Sequence, residues 1–236
     1  MAKLNDEWIV GHHGPLHEIE PGLLTVVGEI AMPLTRFPRR MTVVALERNR
    51  TALYSPIPLR EPDMRRIETL GDPTYLIVPN PAHRLDIRAF HKRYPKAKVV
   101  TAPAGKSAVG EAVTPVQVGA NLGKAASLIV VDGTGERELA MLVRGKSLSL
   151  VTNDIIGNVQ SPRGVGGWLI NRLLRFGPKP HVPRDVRGLL IADKAALAAE
   201  FREWADLDGL ARILPSHGQI INDPSPVLRR LAAELG

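Results

Sequence analysis

Residues 76–83 read Leu76-Ile77-Val78-Pro79-Asn80-Pro81-Ala82-His83, an apolar run that ends in a side chain able to bind a metal. Two later stretches have the same design: residues 148–154 end in Asp154, and residues 211–218 lead into His217. Functional side chains are commonly placed where buried strands end, because the sheet fixes the backbone and leaves the tip free to meet a ligand. The sequence therefore offers a donor set of two histidines and one aspartate, which suits a divalent metal.

Composition limits both the architecture and the chemistry. The chain has 236 residues, of which 44% are hydrophobic, and it contains no cysteine. This length favours one layered domain over residues 1–236, and any metal must use nitrogen and oxygen ligands because thiolates are excluded. The first residues lack the apolar core of a signal peptide, and no apolar run approaches the roughly 18 residues of a membrane span. We therefore expect a cytoplasmic protein without a membrane contact.

Positive charge bears on the partners of the chain. The formal net charge is +7, and the basic residues are densest between residues 84 and 98. Such a surface favours anionic partners, although a solvated helix face explains the same pattern. Aromatic residues make up only 4% of the chain and do not alternate with the basic ones, so a base-stacking surface is poorly supported. We expect a small-molecule substrate or ligand, which the charge allows to be anionic, and we do not expect nucleic acid.

Apolar periodicity predicts a mixture of strands and helices. Short runs of β-branched and apolar residues predict strands at residues 23–32, 41–46, 51–54, 74–78, 99–100, 127–131, 138–143, 147–152 and 212–214. A period near 3.6 predicts helices at residues 61–70, 86–94, 168–176, 194–204 and 227–235. In the middle of the chain the two types alternate, which predicts a sheet with helices on its face. The apolar stripe at residues 168–176 fits core packing or the contact of a homo-oligomer.

The N-terminal segment carries a second group of metal donors. Three histidines and two glutamates lie between residues 12 and 20. Two glycines and a proline at residues 11–15 interrupt any helix that would align these side chains. We therefore expect residues 1–22 to form a mobile N-terminal segment rather than a metal site.

The order of these features resembles that of a known superfamily. Three strand-tip ligands, hairpins at both ends and the closing run Leu214-Pro215-Ser216-His217-Gly218 are similar to the metallo-β-lactamase fold. Residues 37–44, 54–59 and 78–83 resemble a branch of that superfamily whose members are largely of unknown function. The resemblance covers residues 23–221. It implies an α/β fold, also classed as α+β, in which four layers form an αββα sandwich with the site along one edge of its two sheets.

The ligand pattern departs from that of the superfamily. The four ligand positions of its His-x-His-x-Asp-His signature fall on Val78, Asn80, Ala82 and His83. Only the last of them keeps a ligand, and residues 92–180 contain no histidine that could supply the next one. Asp154 matches the bridging aspartate of the family, and His217 matches the final histidine. The first metal position has thus lost its histidines, whereas the second keeps three of its ligands.

The resemblance implies a hydrolase with a degenerate site that holds at most one divalent metal: zinc, iron or manganese. His83, Asp154 and His217 would be its ligands, Asp154 would act in catalysis through the metal, and Asn80 would hold a water or a substrate oxygen. The same ligands also suit non-haem iron, so hydrolysis rests on the resemblance. The alternative is a catalytically silent binding or regulatory module of the same fold that has lost its metals. Each of the three side chains, taken singly, could also serve only to order a turn or a helix end.

Overall fold

A computed structural model describes residues 4–32, 35–159 and 179–236 of the chain. Within these ranges the chain forms two β-sheets and six α-helices. The predicted helix at residues 168–176 and the loop that precedes it lie outside the described residues. None of the described helices has the length and apolarity needed to cross a membrane.

The first sheet has seven strands, whose spatial order follows the chain. They are β1 (His17–Glu20), β2 (Leu23–Met32), β3 (Thr35–Leu46), β4 (Arg50–Tyr54), β5 (Asp72–Val78), β6 (Lys98–Thr101) and β7 (Val116–Val118). Strands β1 to β4 pair antiparallel, and β4 to β7 pair parallel. The change of direction occurs where the first helices enter, because a parallel neighbour requires a crossover connection.

The second sheet has five strands in the order β12-β11-β10-β9-β8. They are β8 (Ala126–Val130), β9 (Leu139–Arg144), β10 (Leu148–Asn158), β11 (Leu210–Gly218) and β12 (Ile221–Asn222). Only β10 and β11 pair parallel within this sheet; the other pairs are antiparallel. These two parallel strands carry two of the candidate metal ligands.

The helices begin where the sequence provides suitable first turns. They are α1 (Glu61–Glu68), α2 (Ile87–Arg93), α3 (Lys106–Gly110), α4 (Arg184–Leu189), α5 (Lys194–Ala205) and α6 (Pro224–Leu235). In α5, the Asp193 side chain accepts hydrogen bonds from the amides of Ala195 and Ala196 at 2.8 and 3.0 Å, which satisfies two of the unpaired donors at a helix start. Two 3₁₀ turns, Pro81–His83 and Pro103–Gly105, follow β5 and β6.

Three apolar clusters separate four layers. Along β5, Leu76 packs with the residues of α1, α2 and α3, whereas Ile77 packs against the second sheet. Along β9, Leu142 packs with α5 and α6, whereas Met141 faces the first sheet. Because successive side chains of a strand point to opposite faces, both faces of each sheet are buried. This arrangement confirms the predicted αββα sandwich.

Several boundaries differ from the predicted ones. Strand β3 begins at Thr35, and β10 continues to Asn158, so Asp154 lies inside a strand rather than after its end. The N-terminal segment, for which a mobile segment is predicted, contributes β1, and Leu16 joins the apolar cluster on the helix side of the first sheet. His13 is 7% exposed and forms an isolated bridge with Gly28.

Candidate metal centre

Three different elements supply the candidate ligands. His83 ends the 3₁₀ turn after β5, Asp154 lies in β10, and His217 lies in β11. Their potential ligand atoms lie within 4.8 Å of one another, and they are the one group of this kind among residues 4–32, 35–159 and 179–236. The structure thus brings together the three residues that the sequence offers as ligands, whereas the histidines and glutamates of residues 12–20 form no comparable group within the described ranges.

An irregularity in β10 directs Asp154 toward the histidines. Strands β10 and β11 pair in register from Ser149 to Thr152, and the register then shifts before Gly157 pairs with His217. Asp154 lies in this bulged part of β10. Bulges re-aim side chains and are frequent beside active sites, and here the bulge explains why a residue inside a strand contacts groups on its neighbours.

The donor atoms have the separations of a coordination shell. His217 Nε2 lies 2.9 Å from Asp154 Oδ1, His83 Nε2 lies 3.2 Å from the same oxygen, and the two Nε2 atoms are 3.3 Å apart. A tetrahedral zinc ion with bonds of about 2.0–2.1 Å keeps its ligands about 3.3 Å apart. The three side chains therefore fit one divalent ion without rearrangement.

The outer nitrogens of both imidazoles are occupied by the protein. His217 Nδ1 lies 2.7 Å from the carbonyl oxygen of Pro38, and His83 Nδ1 lies 2.8 Å from Ser55 Oγ. A carbonyl can only accept, so Nδ1 of His217 carries the proton in this contact. Hydrogen bonds of this kind orient the rings of metal-binding histidines and leave Nε2 for the ion. The ring of Phe37 also packs on His217, with 4.7 Å between the ring centroids.

Asn80 holds the second oxygen of Asp154. Its Nδ2 donates to Asp154 Oδ2 and to Glu138 Oε2, both at 2.8 Å, and its Oδ1 accepts from the amide of Ala82 at 2.9 Å. Both amide hydrogens are therefore used within the protein, which restrains the carboxylate from rotating. The contact of Asn80 with a substrate stays a prediction, and these hydrogen bonds give the residue a second role in orienting Asp154.

Burial and hydrogen bonding set the protonation of the site. Burial by itself raises the pKa of Asp154, but the charge and hydrogen bonds of His83 and His217 outweigh burial and hold this pKa well below its usual value. Burial lowers the pKa of His83, although Asp154 opposes that effect. At neutral pH the site therefore presents a carboxylate and a neutral imidazole, which are the forms that bind a metal.

Some residues that shape the site were not predicted. Glu138 is fully buried behind Asn80, and burial together with the charge of Asp154 raises the pKa of Glu138 to about 8. Arg39 and Arg40 are each only 5% exposed, although arginine side chains usually lie at the surface. Arg39 pairs with Asp86, and Arg40 donates to the carbonyls of Pro215 and Gly218.

A cavity of about 490 Å³ opens beside the ligands. Asp154, His217 and Asn80 reach its wall, and most of its other lining residues are apolar. The volume lies in the range of small-molecule sites, which combine apolar walls with a few convergent polar groups. The candidate metal centre is thus accessible to a small ligand.

Solved structures with the same layers show which class the fold defines. The mono-zinc form of the metallo-β-lactamase FIM-1 from Pseudomonas aeruginosa aligns over 96% of this chain and 98% of its own, with a TM-score of 0.65 and 11% identity. The metallo-β-lactamase from Hirschia baltica aligns over 94% and 96%, with a TM-score of 0.61 and 10% identity. The metal-soaked Flv1 flavodiiron core from Synechocystis sp. PCC6803 aligns over 96% of this chain and 61% of its own, with a TM-score of 0.66 and 12% identity.

The chain therefore has the metallo-β-lactamase fold, as its sequence pattern predicts. No model of a protein family matches the chain, and no curated protein matches its sequence.

Proposed function

We propose that the chain is a hydrolase of a small-molecule substrate that uses at most one divalent metal, held by His83, Asp154 and His217. The observation that carries this proposal is the convergence of three donor atoms at 2.9–3.3 Å, with the outer nitrogens of both imidazoles engaged elsewhere. Zinc, iron and manganese all suit this donor set. The solved neighbours include a mono-zinc metallo-β-lactamase and a flavodiiron core, which supports either of the first two ions.

Each residue of the candidate metal centre would have its own role in the reaction. His83 and His217 offer the lone pairs of their Nε2 atoms, and Asp154 supplies the negative charge, with its second oxygen restrained by Asn80. A divalent ion held there would lower the pKa of a coordinated water and polarise the bond to be broken. A substrate bound against the apolar wall would displace water from the cavity, which strengthens electrostatic interactions within the site.

Elemental analysis of the purified protein tests this proposal. We expect one equivalent of zinc, iron or manganese in the wild type and in His17→Ala, which removes an exposed histidine of β1. We expect the metal to be lost in Asp154→Ala and in His217→Ala, together with any esterase activity toward p-nitrophenyl esters. A wild-type protein whose thermal stability responds neither to these ions nor to a chelator contradicts the proposal.

A catalytically silent binding or regulatory module is the second candidate function. Two signature positions have no donor atom: Val78 is fully buried in the helix-side core, and Ala82 reaches the cavity wall with a methyl group. For the pair of ions with which many hydrolases clamp the attacking and leaving oxygens, this segment therefore offers only His83 as a ligand. For such a module we expect ligand binding in the cavity that is insensitive both to chelator and to added divalent metal.

A further inference from the structure

We propose that the cavity takes an amphiphilic carboxylate, a small molecule with an apolar body and one carboxylate end, and that Arg137 binds the carboxylate. This inference deepens the proposed function and rests on it only for the bond that is hydrolysed. The preference for an amphiphilic carboxylate depends only on the residues that line the cavity.

The walls provide an apolar surface from several elements. Phe37 of β3, Ala104 of the second 3₁₀ turn, Leu189 at the end of α4 and Leu190 after it all line the cavity. Apolar walls favour an apolar ligand because its surface leaves water on binding. The site is thus unsuited to a ligand that is polar throughout, such as a sugar.

Leu189 extends the apolar wall of the cavity to its solvent-exposed edge. Its side chain is 72% exposed, the largest fraction among the exposed large hydrophobic side chains of the described residues. Leu189 is continuous with the other apolar lining residues, and contiguous apolar surface that lines a groove often marks a ligand-binding site. An apolar ligand body in the cavity would cover this side chain.

Arg137 supplies the charge complement. It is the one lysine or arginine among the described lining residues. Its Nη1 donates to the carbonyl oxygen of Leu189 at 3.0 Å, which fixes the guanidinium beside the exposed leucine, and no acidic side chain of the described residues pairs with it. A guanidinium has five N–H donors in a planar fork that matches a carboxylate, so four of the five stay available to a ligand.

The hairpin that carries Arg137 is anchored on both sides. The amide of Ala104 donates to the carbonyl of Glu136 at 3.0 Å, and the amides of Ala192 and Asp193 donate to the carbonyl of Gly133 at 2.8 and 3.0 Å. The arginine therefore stands on a fixed loop, as precise ligand recognition requires. Asp154 is the one acidic residue among the described lining residues, and its oxygens are already hydrogen-bonded to His83, His217 and Asn80.

Calorimetric titration of chelator-treated protein tests the binding preference without metal. The probes are octanoate and octylamine, which share one apolar chain and differ in the charge of the end group. We expect octanoate to bind at least about tenfold more tightly than octylamine, because Arg137 attracts one end group and repels the other. Arg137→Gln should abolish this ratio, and Arg144→Gln, which removes an exposed arginine at the far end of β9, should leave it unchanged. Leu189→Ser should weaken both probes by a similar factor.

Ester hydrolysis by metal-loaded protein separates this inference from the proposed function. The substrates are the mono-p-nitrophenyl ester of suberic acid, which keeps a free carboxylate, and p-nitrophenyl octanoate, which has none. An octanoate preference without hydrolysis of either ester supports the inference and contradicts the hydrolase. Hydrolysis with equal kcat/KM for both esters supports the hydrolase and overturns the inference. Equal affinity for octanoate and octylamine overturns the inference whatever the esters show.

Discussion

His217 is held by strand β3 on two sides. The carbonyl of Pro38 accepts a hydrogen bond from Nδ1 of His217. Two residues later, Arg40 donates at 3.1 Å to the carbonyl of Pro215 and at 2.7 Å to the carbonyl of Gly218, on either side of the histidine. Burial lowers the pKa of Arg40 to about 10, which still leaves the guanidinium charged at neutral pH. The position of a ligand in the second sheet is therefore set by a strand of the first.

Replacing Arg40 tests this role. Arg40→Met leaves two buried carbonyl oxygens without their donor, and we expect a loss of about 2–5 kcal/mol in the free energy of unfolding, together with weaker metal binding. The control is Arg36→Met on the same strand, whose side chain is 67% exposed and should change stability by about 0.5 kcal/mol or less. Urea unfolding measures both variants, and equal losses would contradict a specific role for Arg40.

Glu138 should make stability depend on pH. Its pKa is raised to about 8 in the folded protein, by burial first and by the charge of Asp154 second, so the folded state binds this proton more tightly than the unfolded state. The stabilising contribution is complete below the ordinary glutamate pKa of about 4.3 and is lost as the pH rises through about 8.

Glu138→Gln mimics the protonated form and should remove this dependence. In the presence of chelator, we expect the free energy of unfolding of the variant, relative to that of the wild type, to rise by at least about 1.4 kcal/mol from pH 5 to pH 9. This amount is the equivalent of one pKa unit. Unfolding curves at both pH values measure the difference. The same difference at both values would show that Glu138 is already ionised in the folded protein.

At the residue scale, the three candidate ligands could be predicted from the sequence, but the groups that orient their side chains could not. His83, Asp154 and His217 are visible because each ends or follows an apolar run in a known order. Ser55 and the carbonyl of Pro38 gave no such signal, because they contact histidines 28 and 179 residues away. Contacts at that separation depend on the register of the strands rather than on local pattern.

Among the elements, the junction of β10 and β11 depends on one glycine. Gly218 pairs with Asn158 and has a φ of 104°, a backbone conformation that residues other than glycine rarely adopt. A Cβ at this position would also collide with the Asn158 carbonyl group. The glycine therefore permits the close approach that places His217 beside the bulge of β10.

Gly218→Ala should be strongly destabilising. We expect a loss of at least about 3 kcal/mol from strain and displaced backbone, with loss of metal binding. The matched control is Gly110→Ala in α3, where an added Cβ meets nothing within 4 Å and the change should be neutral or stabilising by up to about 1 kcal/mol. Thermal unfolding measures both, and a stable, metal-binding Gly218→Ala protein would show that the junction can relax.

Strands that contain long apolar runs were predicted from the sequence, whereas several of the shortest strands were not. Strands β2, β5 and β9 were predicted close to their observed bounds because each contains a continuous run of mostly apolar residues, as expected for a strand that is buried on both faces. Strands β1, β7 and β12 contain four, three and two residues, too few to show a period. The bulge in β10 was also invisible, because it arises from pairing with β11.

At the scale of the whole molecule, the chain carries a net charge of +7, but its densest group of basic residues is paired with nearby acids. The basic side chains of residues 84–93 form ion pairs at 2.8–3.0 Å, namely Arg84 with Glu111, Arg88 with Asp6, Lys92 with Glu7, and Arg93 with Glu61 and Glu68. Two of these acids belong to the N-terminal segment. The predicted basic surface is thus mostly engaged, which weakens it as a site for polyanions.

Nucleic-acid binding should accordingly be weak. We expect a labelled 20-nucleotide oligothymidylate to bind with a Kd no tighter than about 10⁻⁴ M at 0.15 M salt. Releasing two of the paired cations with the double change Asp6→Asn and Glu7→Gln should raise the affinity at low salt and steepen its salt dependence. Fluorescence anisotropy measures both, and tight binding by the wild type would identify a basic surface outside these ion pairs.

The spacing of the three candidate ligands along the polypeptide determines at which point of protein synthesis the metal site can form. Residues 83, 154 and 217 meet only when both sheets are assembled, and a metal site rarely exists before its protein has folded. A nascent chain on the ribosome cannot hold the ion in this way until His217 has emerged. Ion loading would therefore follow the synthesis of His217 and would distinguish the molecules whose synthesis has passed that residue.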